Sequence, residues 1–254
     1  MISKTLSNLI VYLRGKDSKT LENLPLALEE TPFNQIYSLN DRKAMGFQKN
    51  LVLFQALAQC RMIRVYPSII RVNSSNFDPI SHWLCGVQMV ALNFQTLDRA
   101  MELNTALFES NGKYGYVLKP RMDPNAIVAK TLSLRIISAQ QIHQNISDQN
   151  RAEIVIEIIG NAADCIKSKT FTAKSNGFNT IWTQDFVFQL VNPSFAFLRL
   201  EAFDIDSTIG SSSAIGACTI FLPNLMEGFK HLTLRNRHGD TLGFTQLFCF
   251  FQWI

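Results

Sequence analysis

The chain has 254 residues, 47% of them hydrophobic and only 17% charged, which excludes a disordered chain and, at roughly 100–200 residues per domain, suggests two domains. No apolar run reaches the ~18–20 residues of a membrane-spanning helix. The net charge of +4 is uneven, with 14 Lys and Arg against 9 Asp and Glu in residues 1–121 and 10 against 11 in residues 122–254. These basic residues are dispersed, which is no nucleic-acid signature and suits an anionic small ligand or membrane surface.

In chain order, Met1 to Lys16 holds only the short apolar run Leu9–Leu13 and no small-residue cleavage site, so no secretory signal is expected. Leu6–Leu13 is instead expected to supply a first strand. Phe33–Tyr37 reads as a strand, after which Asn40 and Asp41 open a helical stretch to about Gln59. Met62–Tyr66 is a strand stopped by Pro67. Val87–Phe94 is a nearly continuous apolar strand of the kind covered on both faces, and Tyr114–Leu118 is another. Strands alternating with helices predict parallel βα units. Four such units cannot close a barrel, and an open parallel edge exposes unpaired backbone. This part is therefore expected to be half of something larger.

Pro120 and Pro124 interrupt regular structure, and the pattern changes after them. Period-two alternation follows in Leu132–Ile137, Ile154–Ile159, Phe186–Leu190, Phe195–Phe203, Ala217–Leu222, His231–Leu234 and Leu247–Phe251. With a strand at Lys169–Ala173 this makes about eight short strands and no helix of ten residues, an antiparallel β-sandwich. The five cysteines (Cys60, Cys85, Cys165, Cys218, Cys249) are odd in number and lack a C-x-x-C pair. That favours the reduced thiols of a cytoplasmic protein over a disulfide scaffold or zinc site.

The blocks Ser74-Ser-Asn-Phe-Asp-Pro79, Gln88-Met-Val-Ala-Leu-Asn-Phe-Gln-Thr96 and Gly115-Tyr-Val-Leu-Lys-Pro120 resemble the phosphoinositide-specific phospholipases C, at the C-terminal or Y half of that family's catalytic TIM barrel. Residues 131–254 resemble the C2 domain that follows it, most recognisably at Ser175-Asn-Gly-Phe-Asn179 and Trp182. The short hinge is most similar to the delta and zeta groups. The fold implied is the C-terminal half of a TIM barrel (1–121), a linker (122–130) and an antiparallel eight-stranded C2 β-sandwich (131–254). Departures are Leu84, where the family pattern has asparagine, and Lys113-Tyr114 within Asn111-Gly-Lys-Tyr-Gly-Tyr116.

The resemblance implies hydrolysis of phosphatidylinositol 4,5-bisphosphate to diacylglycerol and inositol trisphosphate. In the family, two histidines and a calcium ion do the chemistry, all held by a preceding X half that has no counterpart in these residues. His82, His143, His231 and His238 match no catalytic motif and read as surface or satisfied histidines. No turnover is expected from this chain alone, and the X half becomes a needed partner, alongside phosphoinositide lipid and an anionic membrane.

For substrate binding the resemblance points to Ser38 as hydrogen-bonding a ring phosphate, Arg64 as pairing with it and Tyr66 as stacking on the inositol ring. Arg64 and Tyr66, two apart on a strand, share a face, and guanidinium binds phosphate oxygens bidentately. Ile69 and Ile70 fall where family members carry an apolar ridge that dips into the bilayer, and read equally as buried core. In the C2 part, Asp204 and Asp206 match a calcium-ligating pair, with Asn176 as a further contributor. Hard Ca²⁺ needs six to eight oxygens. Arg151 stands at the first-loop aspartate position and Ser211-Ser-Ser213 at the last, so a weak or degraded site is expected, with Asp148 as a substitute ligand. Lys167, Lys169 and Lys174 face either anionic headgroups or simply solvent along an edge strand. The protein is expected to be cytoplasmic and peripherally membrane-bound; the alternative is a non-catalytic lipid- or protein-binding regulator of the same descent.

Overall fold

The computed structural model describes residues 3–10, 12–30, 33–119, 129–142, 151–174, 178–205 and 211–254. Pro120–Val128, which holds both boundary prolines, lies outside them. By density of contacts the chain forms two compact units, Met1–Met101 with Leu118–Met122, and Glu102–Val117 with Asp123–Ile254.

In the first unit α1 (Lys4–Asn8) precedes β1 (Arg14–Lys16), α2 (Leu24–Glu30), β2 (Gln35–Asn40), α3 (Asp41–Phe47), α4 (Leu51–Cys60), β3 (Met62–Tyr66), α5 (Ile80–Leu84) and β4 (Met89–Val90). The four strands are parallel, in the order β1-β2-β3-β4. Alternation sends Tyr37, Leu39, Ile63 and Val65 into a core shared with Phe54, Leu57 and Ala58 of α4. The Asn40 side chain caps α3 by accepting from Lys43 N at 2.8 Å, one of the orphan donors of a helix start.

Three expectations need correction. Leu6–Leu13 does not form the first strand: α1 occupies its beginning, and the parallel partner of β2 is β1, further along. Val87–Phe94 is a strand only at Met89–Val90. On either side, side chains take over the backbone pairing: Gln88 Oε1 accepts from Ile63 N, and Asn93 N donates to Asn76 Oδ1. Tyr114–Leu118 joins no ladder among the described residues, and Tyr114, Tyr116 and Leu118 are exposed. Its alternation is present, but a strand exists only where a neighbour receives its hydrogen bonds.

The second unit contains α6 (Arg99–Glu109) from Glu102 onward and nine strands: β5 (Lys130–Gln140), β6 (Arg151–Ile159), β7 (Ile166–Lys169), β8 (Ala173–Lys174), β9 (Asn179–Leu190), β10 (Phe197–Ile205), β11 (Ser212–Phe221), β12 (Gly228–Arg235) and β13 (Thr241–Trp253). Eight follow one antiparallel path, β7-β6-β10-β11-β12-β13-β5-β9, and β8 pairs to the side of β6. The expected strand at Lys169–Ala173 is thus two short ones. Only Ala217 and Arg235 pair between β11 and β12, so the path folds there into two four-stranded layers. Leu134, Ile136, Ile154, Ile156, Leu198, Leu200, Leu247 and Phe251 fill the space between them, the aligned packing of a sandwich. At the fold, a Cβ on Gly216 would lie 2.6 Å from the Arg235 carbonyl oxygen, so only glycine permits the approach. Arg199, on β10, is buried against carboxylates. Its Nε donates to Glu102 Oε2 and its Nη1 to Glu201 Oε2, both at 2.6 Å. Burial opposes the guanidinium's charge, but the bonds to Glu201 and Glu102 outweigh it and raise its pKa.

Candidate functional site: the strand ends of the parallel sheet

With one face of β2 and β3 packed on helices, alternation sends the next residues the other way. Ser38 and Arg64 are directly opposite across the ladder, as are Asn40 and Tyr66. Ser38 and Arg64 are exposed and Tyr66 half-buried. Arg64 Nη1 donates to Ser38 Oγ at 3.2 Å, and the Arg64 guanidinium carbon stands 5.2 Å from the centroid of the Tyr66 ring. A hydroxyl, a planar cation and an aromatic face thus sit side by side at the C-terminal ends of parallel strands, where ligands of α/β proteins bind. A guanidinium beside a hydroxyl supplies donors for phosphate oxygens, and the aromatic flank holds the cation in place.

Past Pro67 the chain forms an exposed loop. Ile69 and Val72 are 95% and 93% exposed and Ile70 51%, so these isoleucines are not core. The loop is nevertheless tied down. Asp41, buried in the first turn of α3, accepts from Ser68 N at 2.7 Å and from Arg71 Nε and Nη2 at 3.1 and 2.8 Å. Burial pushes the Asp41 carboxyl up, but the hydrogen bonds from Arg71 and Ser68 and the charge of Arg71 outweigh it and hold it below the usual carboxylate range. Further on, the Asn76 amide donates to the Asn93 and Thr96 carbonyls, and Asn93 donates to the Ser74 and Ser75 carbonyls. This stitches the loop after β3 to the loop after β4. Sequence reasoning missed both arrangements. Asp41 was legible only as an acidic residue at a helix start, and nothing local named Arg71 as its partner.

Of the four histidines, three lie among the described residues. His82 is a buried residue of α5, its Nδ1 2.8 Å from Gln48 Nε2 and its ring edge-on to Phe77. Burial pushes its pKa down to about 4 against the pull of Asp41 and Asp78, so it is neutral at neutral pH. His231 is exposed and stacks on Phe248, His238 is exposed, and His143 lies outside the described residues.

Of the C2 calcium candidates, Asp204 is half-buried on β10, opposite Ala152 and Ser213. Asp206, Asn176 and Asp148 lie outside the described residues. Ala152 adjoins Arg151, whose own cross-strand partner is Lys174. Among the described residues no three His, Cys, Asp or Glu side chains come together to hold a metal, so these residues by themselves do not fit a calcium cage. Lys167 and Lys169 are each paired, with Glu157 at 3.3 Å and Glu153 at 3.1 Å. All five cysteines are free thiols, and burial pushes Cys85 up to about 11. No helix among the described residues is long and apolar enough to cross a membrane.

A parallel α/β sheet with a cation-aromatic pair toward its strand ends is followed in the chain by an antiparallel sandwich. Comparison with known proteins gives these two units their families. The model of the Y domain of phosphatidylinositol-specific phospholipase C matches residues 6–122, and that of the C2 domain matches 130–236. The chain is 35% identical over 262 residues to human 1-phosphatidylinositol 4,5-bisphosphate phosphodiesterase delta-3, covering 97% of this chain and 33% of that protein. Mouse eta-2 and human gamma-2 are each 34% identical, over 92% and 98% of this chain and 16% and 20% of theirs. The crystal structure of L. pealei PLC21 superposes with a TM-score of 0.85 at 29% identity, covering 100% of this chain and 34% of that one. The chain belongs to the phosphoinositide-specific phospholipase C family, of which it carries the Y and C2 domains. It spans between about a sixth and a third of the length of these curated relatives, and the delta, eta and gamma proteins stand at the same distance from it.

Proposed function

We propose that this chain supplies the substrate-binding half of a phosphoinositide phospholipase C, which cleaves phosphatidylinositol 4,5-bisphosphate to diacylglycerol and inositol trisphosphate. The observation that carries the reading is the Ser38–Arg64–Tyr66 cluster at the strand ends. In this reading Ser38 and Arg64 donate to a ring phosphate of the headgroup, and Tyr66 stacks on the inositol ring. Arg64 stays charged at any working pH. The division of labour is 1–121 as Y half-barrel, 122–130 as linker and 131–254 as C2 domain, on the strength of the change in sequence pattern at Pro120 and Pro124. The family's calcium supplies Lewis-acid stabilisation of the reacting phosphate from the X half, so turnover requires that half on another segment or chain. The chain docks on anionic membranes peripherally. Ile69 and Ile70 dip into the bilayer beside the headgroup pocket, which their exposure on a tethered loop supports. With Lys167 and Lys169 neutralised by glutamates, the C2 face they lie on is a poor candidate for membrane contact.

The test is inositol trisphosphate release from vesicles containing phosphatidylinositol 4,5-bisphosphate, with calcium. The chain is assayed alone and co-expressed with the X half of a relative. Release only on co-expression, and its loss in Arg64→Ala, supports the reading. Silence in both, with the chain soluble and vesicle-bound, overturns it in favour of a non-catalytic lipid-binding regulator.

A further inference from the structure

We propose that Asp41 is a positioning residue for membrane engagement: its buried carboxylate clamps the loop after β3, so that Ile69, Ile70 and Val72 meet the bilayer preorganised. The inference rests on the lipid-facing reading of that loop and adds the element that aims it.

An exposed loop bearing three β-branched apolar side chains has every reason to fold them inward, because water penalises each of them. Here they stay out, and the geometry says what holds them. The clamp grips the loop at its beginning through Ser68 N and at its middle through the Arg71 guanidinium, while Arg71 Nη1 donates to the carbonyl of Asn76 at 2.9 Å near its end. All three grips converge on one side chain or on its direct partner. The Asp41 side chain is 2% exposed and that of Arg71 28%, so this pair is shielded far more than a surface ion pair and stays formed in salt. With Ser68 and Arg71 drawn toward α3, the intervening Ile69 and Ile70 stand on the exposed side of the loop.

Asp41 also follows directly on β2, three residues beyond Ser38, and the loop it holds starts directly after Tyr66, the last residue of β3. The same carboxylate therefore ties the end of the strand bearing Ser38 to the exit of the strand bearing Arg64 and Tyr66. Headgroup contacts and apolar tip are kept at a fixed offset, which lets one membrane encounter satisfy both. Preorganisation of this kind strengthens binding by removing the ordering cost, roughly tenfold for one or two immobilised side chains.

The experiment uses the full chain and vesicles of phosphatidylcholine containing phosphatidylinositol 4,5-bisphosphate. Partition is measured for the wild type, Asp41→Asn, Arg71→Lys and the double variant Ile69→Ser/Ile70→Ser. In parallel, Ile70→Trp is read by quenching with brominated lipid, with and without Asp41→Asn. The expected result is partition roughly tenfold weaker in Asp41→Asn and Arg71→Lys, with shallower quenching at position 70, under conditions where each variant remains folded by circular dichroism. A purely structural role would change melting but leave the quenching depth of the folded fraction as it was. If Asp41→Asn does not fold, Arg71→Lys, altered at the more exposed partner, decides alone. Wild-type partition and depth in the clamp variants, with the double isoleucine variant impaired, overturns the clamp and leaves the lipid-facing loop standing. A double isoleucine variant that binds like the wild type overturns the loop reading and the clamp with it.

Discussion

Arg64 and Ser38 lie 26 residues apart in the chain and face each other across a parallel ladder, the guanidinium donating to the hydroxyl at 3.2 Å. Such a bond between two exposed side chains contributes little to folding. Its value is to hold a cation, beside an aromatic face, in the orientation an incoming phosphate needs. Arg64→Lys keeps the charge and loses the planar fork, whereas Arg64→Ala loses both. Binding to phosphatidylinositol 4,5-bisphosphate vesicles by the chain co-expressed with an X half is expected to fall in that order, by roughly tenfold or more for alanine. Equal binding by all three would remove Arg64 from the site.

His82 makes stability depend on pH in a defined window. Its ordinary pKa of 6.5 is pushed down to about 4 in the folded chain. The unfolded chain therefore takes up a proton as pH falls through 6.5, while the folded chain resists until about 4. Stability from this group is full above pH 6.5 and is lost progressively between there and pH 4, by about 3 kcal/mol at the end. Asp41, whose pKa is lowered, adds a separate loss at still lower pH, below the ordinary carboxylate value of 3.8. Urea midpoints at pH 7 and pH 5 should separate for the wild type and converge in His82→Asn.

The Arg199 cluster is an ion network in which one buried cation serves Glu102, Glu201 and, at 3.9 Å, Glu157. Removing the cation leaves three carboxylates crowded around an uncharged site. Arg199→Met should destabilise the chain by about 3 kcal/mol, and Glu157→Gln by much less, since it gives up the longest of the Arg199 contacts and a pair with the exposed Lys167. Thermal unfolding of the two variants gives the comparison directly.

Gly216 carries no functional group, yet the two layers of the sandwich meet beside it. A methyl there would press on the Arg235 carbonyl oxygen and on Leu242, and a backbone oxygen cannot swing aside. Gly216→Ala is expected to cost about 1–3 kcal/mol, while alanine at Gly46, where nothing lies within 4 Å, should be neutral or stabilising in its helix.

Calcium offers a test of the C2 reading. If the site is degraded, millimolar calcium should leave the melting temperature of the chain unchanged to about 1 °C, since a ligand stabilises only what it binds. A clear upward shift, abolished by Asp204→Asn, would show that a cage does form.

Much of this molecule was legible from spacing alone. The alternation of Leu132–Ile137 and Leu247–Phe251 announced strands with one buried face, Ile154–Ile159 proved a strand buried on both, and Met62–Tyr66 was bounded correctly by its pattern and by Pro67. Arg64 and Tyr66 had to share a face because a strand has a period of two residues. These are local properties, decided within a few residues of the position concerned. What tertiary structure alone decided has its partner far away. The Leu6–Leu13 run turned out not to be the strand beside β2, and Tyr114–Leu118 pairs with no described strand, because a strand is defined by its neighbour and not by its own alternation. The exposure of Ile69 and Ile70 depends on Asp41 capturing Arg71 across 30 residues, and the burial of Arg199 depends on Glu102, 97 residues earlier. Periodicity tells a side chain which way to face; only the folded chain brings it the charge or hydrogen-bond partner that makes the position affordable.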